Sequence, residues 1–140
     1  MADMQFPNVL FGPGTFNAAV IDNNGAPSAV LEAAAPFTIQ CSWTISALAA
    51  LLLGGEWQLA AYVESMGPGP EQQVGATVDV ALTGATSYSA NITVPANTLP
   101  DDVGPGQSGT YKLVTLLTHR NFGNVTDVAA VVEGPILRIA

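Results

Sequence analysis

The sequence predicts an all-β protein, an antiparallel β-sandwich of seven to eight strands, and three observations carry that prediction. From Phe37 to Ser46 apolar and polar residues alternate without a break, with Phe37, Ile39, Cys41, Trp43 and Ile45 between Thr38, Gln40, Ser42, Thr44 and Ser46. Side chains on a strand point alternately to opposite faces, so this segment has one face for a core and one for water or a partner. The same period of two returns downstream, at residues 56–64, 76–82 and 88–94. Glycine and proline clusters separate these runs at short spacing and leave little room for helix, which is the pattern of a sandwich.

The elements follow in order. Residues 1–14 set Phe6, Val9, Leu10 and Phe11 among Pro7, Gly12, Pro13 and Gly14, which describes an irregular arm with apolar anchors that needs a surface to bury it. The remaining residues, 15–140, form one sandwich domain. Its first strand runs from Thr15 to Asp22, and Asn23, Asn24, Gly25 and Pro27 turn the chain toward a short strand at 28–32. The strong strand at 37–46 comes next. Ala47 to Leu53 are good helix formers behind a serine, Ser46, and ahead of Gly54 and Gly55, so one capped helical turn is expected there, with a continued strand as the competing reading.

In the strand at 56–64, Trp57, Leu59, Ala61 and Val63 share one face, until Gly67, Pro68, Gly69 and Pro70 break it. Ala76, Val78, Val80 and Leu82 mark the next strand, and Tyr88, Ala90, Ile92 and Val94 the one after. Residues 97–108 are a loop. The last two strands span 110–118 and 127–139, separated by residues 119–124, and Gly134-Pro135 predicts a bulge or a switch of sheet in the final one.

Composition narrows the function. One domain fits 140 residues, and three Lys+Arg against eleven Asp+Glu give a formal charge of −8 that repels phosphate backbones, so no nucleic-acid partner is expected. Only 10% of residues are charged while 49% are hydrophobic, an ion-poor surface suited to burial in an assembly. The longest apolar run, 47–53, is far below the ~18 residues of a membrane-spanning helix, so no membrane insertion is expected. Met1-Ala2-Asp3-Met4 lacks a basic segment followed by an apolar stretch, so no cleavable secretory signal is expected. Cys41 is the single cysteine and sits in the apolar phase of its strand, where it reads as a buried thiol rather than a nucleophile.

Cys41 on one strand, Trp57 on the next, and Gly106-Gln107-Ser108-Gly109-Thr110-Tyr111-Lys112-Leu113 entering a late strand resemble the immunoglobulin-like β-sandwich superfamily. The last segment looks like that superfamily's tyrosine corner, in which a tyrosine hydrogen-bonds back to the preceding loop. The resemblance implies that role for Tyr111 and core roles for Cys41 and Trp57. Leu113 stands where the superfamily's second bridging cysteine would be, so an apolar contact replaces the disulfide. No particular family is identified, and function lives in the site rather than in the fold.

No residue pattern points to catalysis, a metal or a cofactor, and no enzymatic activity is expected. His119 is the only histidine and falls in the turn between the last two strands by this reading, where it would need carboxylates from elsewhere to form a site. Asp101 and Asp102 offer hard oxygens to calcium without the spacing of a calcium-binding loop, so a solvated acidic turn is the plainer reading. Tyr62 lies out of phase with Trp57, among Glu56, Gln58 and Glu64, and places an aromatic on a polar outer face. Tyr62, Asp101, Asp102 and His119 together form the candidate face for a glycan or protein ligand.

A distributed signal points elsewhere. Val114 and Leu116 lie opposite Tyr111, Leu113 and Leu117 on one strand, and Val131 lies opposite Val128-phase residues on the next, so both faces of these strands are apolar. One face of a sandwich sheet meets the core, so an apolar outer face calls for a further layer, from the chain's own residues 1–14 or 47–53 or from a neighbour. The expectation is a non-enzymatic structural or assembly module, a homo-oligomer associating through Phe6, Leu10, Phe11, Val114, Leu116 and Val131. A carbohydrate- or protein-binding module of the adhesion type is the alternative.

Overall fold

A computed structural model describes residues 2–6, 11–102, 106 and 108–140. Among these the chain forms nine strands and one helix: β1 (Ala2–Asp3), β2 (Thr15–Ile21), β3 (Val30–Leu31), β4 (Phe37–Thr44), α1 (Ala47–Leu52), β5 (Glu56–Ser65), β6 (Gln72–Ala81), β7 (Ser87–Val94), β8 (Thr110–Asn121) and β9 (Asn124–Ile139). They build two sheets, ordered β1-β2-β4-β7 and β3-β9-β8-β5-β6, and the fold is a β-sandwich. Every pairing is antiparallel except β3 with β9, which is parallel and corrects the wholly antiparallel expectation. The two-residue β3 reaches β9 after a long crossover, so no hairpin fixes its direction.

The alternation does what its period requires. On β4, Phe37, Ile39, Cys41 and Trp43 are buried while Gln40, Ser42 and Thr44 are exposed. On β5, Trp57, Leu59, Ala61 and Val63 face them from the other sheet, and Tyr111, Leu113 and Leu117 of β8 complete the centre of the core. Trp43 packs edge-on to both Phe16 and Trp57, with ring centroids 6.3 and 6.1 Å apart, and stacks on Tyr88 at 5.8 Å. Edge-on and offset contacts of this kind match the ring quadrupoles and add roughly 0.5–1.5 kcal/mol each beyond burial.

Local signals set the irregular points. Ser46 caps α1, its Oγ accepting from the Ala49 N–H at 3.1 Å and donating to the Phe11 carbonyl at 2.9 Å. The β8–β9 register slips between Lys112 and Val114, opposite Ile136 and Glu133, so the bulge falls at Gly134-Pro135. Gly75 adopts φ +70 where β6 passes β7, and a Cβ there would lie 2.6 Å from Ile92 Cγ2 and 2.8 Å from the Thr93 carbonyl oxygen. Only glycine fits that crossing.

The arm closes the opposite side of the sandwich. β1 pairs with the edge of β2, and two residues later Gln5 exchanges backbone hydrogen bonds with Ala129 of β9, at 2.7 and 3.2 Å. Met4 is buried between them. The arm therefore occupies two strand edges that would otherwise offer unpaired backbone groups.

Candidate functional site

The sequence-predicted ligand residues do not converge. Tyr62 is 41% exposed on the outer face of β5. His119 lies on the inner face of β8, near the opposite end of the sheet from the loop that carries Asp101 and Asp102. Nine residues of β8 separate Thr110, beside that loop, from His119, a span of roughly 30 Å.

The expectation of a loop histidine is corrected. β8 continues to Asn121, so His119 stays in the inward phase of Tyr111, Leu113, Thr115 and Leu117 and is buried. Its Nε2 lies 2.7 Å from the Gly54 carbonyl oxygen, an acceptor only, so Nε2 carries a proton and donates. Its Nδ1 lies 2.8 Å from Thr126 Oγ1, and Trp57 packs against the ring at 5.3 Å. His119 thus ties the segment after α1 to the ends of β8 and β9, a structural duty that leaves neither ring nitrogen free for a substrate.

The acidic loop is also engaged internally. Asp102 accepts from Arg138 Nη2 at 2.6 Å, and this hydrogen bond, with the guanidinium charge behind it, holds the Asp102 carboxyl below the usual carboxylate range. Arg138 Nη1 donates to the Ser108 carbonyl at 3.0 Å, so one guanidinium binds both ends of the loop to β9. Asp101 has interactions of its own within the chain. Burial, and secondarily the Asp101 charge, push the Tyr111 phenol up. Among the described residues no group of three or more His, Cys, Asp and Glu is arranged to hold a metal ion. Cys41 is fully buried, and burial pushes its thiol up to about 12, so its nucleophilic thiolate is suppressed near neutral pH.

The outer face of the five-stranded sheet is different. Ala60, Leu116 and Val131 stand in register across β5, β8 and β9, and Tyr62, Val114 and Glu133 form the next row. Val131 is 44% exposed and Ile136 48%, while Val114 and Leu116 are half-buried. Beside them Tyr62, Val114, Glu64 and Glu71 border an open depression of about 550 Å³. Ala2 of the arm borders the β9 side of this face, beside Val131 and Glu133. Phe6 and Phe11 are partly buried against the chain's own core, which leaves them less to offer a neighbour. Leu10 lies outside the described residues.

Sequence reasoning missed a second apolar surface at the end of the sandwich where α1 and the β8–β9 turn meet. Leu51 and Leu52 of α1 are 79% and 59% exposed, Val125 is 61% exposed, and Phe122 at the hairpin tip is 95% exposed with φ 51. The segment after α1 touches this hairpin directly, because a Cβ on Gly55 would clash with the Arg120 carbonyl and lie 3.1 Å from Asn121 Cα. An available signal was the Phe122-Gly123 pair between two strands, a two-residue turn whose first position ordinarily takes Asn, Asp or Gly.

No family model matches the chain, and no curated protein matches it. Among solved structures it is similar to a β-glucosidase from Listeria innocua in complex with glucose, at 10% identity and a TM-score of 0.49, covering 90% of this chain and 16% of that one. A second structure, β-glucosidase from Listeria innocua, matches at 11% identity and a TM-score of 0.47, over 91% of this chain and 16% of that one. The chain thus spans 16% of the length of these neighbours.

Proposed function

We propose that this chain is a non-enzymatic structural or assembly module that self-associates through the outer face of its five-stranded sheet. The observation that carries the reading is the apolar outer face of β5, β8 and β9, where Val131 and Tyr62 stand exposed beside the half-buried Val114 and Leu116. Burying an apolar side chain of this size contributes roughly 1.5–3 kcal/mol, so a few together offset much of the entropic cost of association. With only 10% of the chain's residues charged, few ions need be desolvated in such a contact.

The scaffold is immunoglobulin-like in this reading. The order β2-β4-β7 corresponds to strands A-B-E of that superfamily and β9-β8-β5-β6 to G-F-C-C′. Tyr111 Oη donates to the Pro100 carbonyl at 2.8 Å, the bond of a tyrosine corner, and supports the same assignment. Leu113, fully buried, occupies the place of the second cysteine.

Native mass by size-exclusion chromatography with light scattering, over a concentration series, tests the association. The wild-type chain should exceed its monomer mass, and Leu116→Lys should return it to monomer with its melting temperature preserved. A wild-type monomer at every concentration overturns the reading. A second reading, a glycan-binding module, draws on the exposed Tyr62 ring in its depression among Glu64, Glu71 and Gln73. Glycan-induced NMR shifts confined to those residues in a monomeric chain would favour it.

A further inference from the structure

Self-association through the outer sheet face needs a complementary surface, and we propose that this surface is the tip of another copy: Phe122 of one molecule seats in the Tyr62–Val114 depression of the next, head to tail. The inference rests on the assembly reading above and specifies its second half.

Phe122 is 95% exposed and holds φ 51, a backbone region that a bulky side chain enters at a cost. That strain projects an aromatic ring from a turn where Asn or Gly would be relaxed, and strain of this kind concentrates where a side chain is used. The tip is convex and apolar, with Leu51 and Leu52 of α1 at the same end of the sandwich. A convex knob is covered by a concave surface, and the depression of about 550 Å³ beside Tyr62 and Val114 can receive a phenyl ring.

The charges agree. Among the described residues Lys112 is paired with Glu133 and Arg138 with Asp102, whereas Arg120, two residues before Phe122, is half-buried, has no ion pair and keeps its buried Nε without a hydrogen-bond partner. Glu64 and Glu71 border the depression that would receive the tip. A docked tip brings this cation to those carboxylates.

The contact is intermolecular by distance. Arg120 stands opposite Glu56 and Val114 opposite Tyr62, six residues further along β5, so a molecule's own tip lies roughly 20 Å from its own depression. One twofold arrangement of outer faces fits poorly. An axis across the strands at Ala60 and Leu116 would set Glu56 against Glu64 and Arg120 against Lys112, like charge on like charge. It would also carry the tip over the partner's β8 and β9 rather than over the edge of β5 and β6. The knob and its receptor are therefore different surfaces, and such a contact closes into a ring or extends as a fibre.

The test uses the full chain as wild type, as Phe122→Ser, as Val114→Lys, and as an equimolar mixture of the two variants, each followed by light scattering over a concentration series. Each variant alone should lose at least about tenfold in affinity, as expected for an interface anchor. The mixture should return to a dimer and no further, because it retains one intact tip and one intact depression per pair. A mixture that stays monomeric overturns the head-to-tail contact. So does Phe122→Ser assembling as wild type does, a result that leaves the outer-face reading standing. A wild-type chain that remains monomeric overturns both, and its co-sedimentation with phosphatidylcholine vesicles would assign the tip to a bilayer instead. Should Val114→Lys lower the melting temperature, Tyr62→Ser replaces it.

Discussion

The two sheets share one core but turn different outer faces to solvent. On the four-stranded sheet the outward rows are Asp3, Thr15, Thr44 and Ser87, then Asn17, Ser42 and Ser89, then Ala19, Gln40 and Asn91, uncharged apart from Asp3 and mostly hydrogen-bonding. Thr15 and Thr44 already share a hydroxyl hydrogen bond of 2.6 Å across the strands. On the five-stranded sheet the corresponding rows are Ala60, Leu116 and Val131, then Tyr62, Val114 and Glu133. Water satisfies the first face as it stands. The second holds apolar area in water, which the proposed self-association would remove. The difference teaches that amphipathic alternation marks a strand's inner face reliably, whereas its failure on the other face marks where the molecule has further work.

Five experiments break or sharpen this contrast. The largest effect should come from the inner faces, where the sheets are equivalent: Trp43→Ala and Trp57→Ala should each destabilise by about 3–5 kcal/mol in denaturant unfolding, since both indoles are buried in one aromatic cluster. A loss below ~1 kcal/mol at either would mean the core is not shared. On the outer faces the sheets should diverge. Leu116→Lys should weaken self-association by roughly tenfold or more, while Ser42→Lys on the other sheet should leave it unchanged, both within about 0.5 kcal/mol of wild-type stability. Equal effects on association would remove the distinction between the faces.

Tyr111→Phe deletes the bond to Pro100 and should cost about 0.5–1.5 kcal/mol, with faster amide exchange in residues 97–102 as the specific readout. Thr115→Val should act oppositely. Thr115 is fully buried on the inner face of β8 and its hydroxyl has no partner among the described residues, so an isosteric methyl should raise stability by about 1 kcal/mol. The smallest effect belongs to Asp102→Asn. Arg138 lowers the folded-state pKa of this exposed carboxyl, so the pair's contribution is present above the unfolded carboxylate range and fades as pH falls through the folded value. The variant should flatten the acid limb of the stability profile slightly and leave the neutral-pH melting temperature nearly unchanged.

Much of the fold was legible because its signals are local. The alternation of Phe37 to Trp43, the Ser46 cap, and the Gly134-Pro135 bulge each depend on neighbours in sequence, and each stands where the pattern put it. The two-sided apolar character of β8 and β9 was equally readable. Less of the candidate site could be read. Thr115 and His119 interrupt the apolar phase of β8, so the chain looked as if its strand ended before the histidine. The Gly54 carbonyl, 65 residues away in sequence, and Thr126 Oγ1 satisfy the two ring nitrogens of that buried histidine.

Sequence by itself determined which residues share a face, because a strand repeats every two residues whatever surrounds it. Tertiary structure alone decided which faces meet. It sent the arm to the edges of β2 and β9, tied Asp102 to Arg138, and set Tyr62 beside Val114 above a depression bordered by Glu71. Those pairings join residues far apart in the chain, and strand order, which no local period encodes, brings them together.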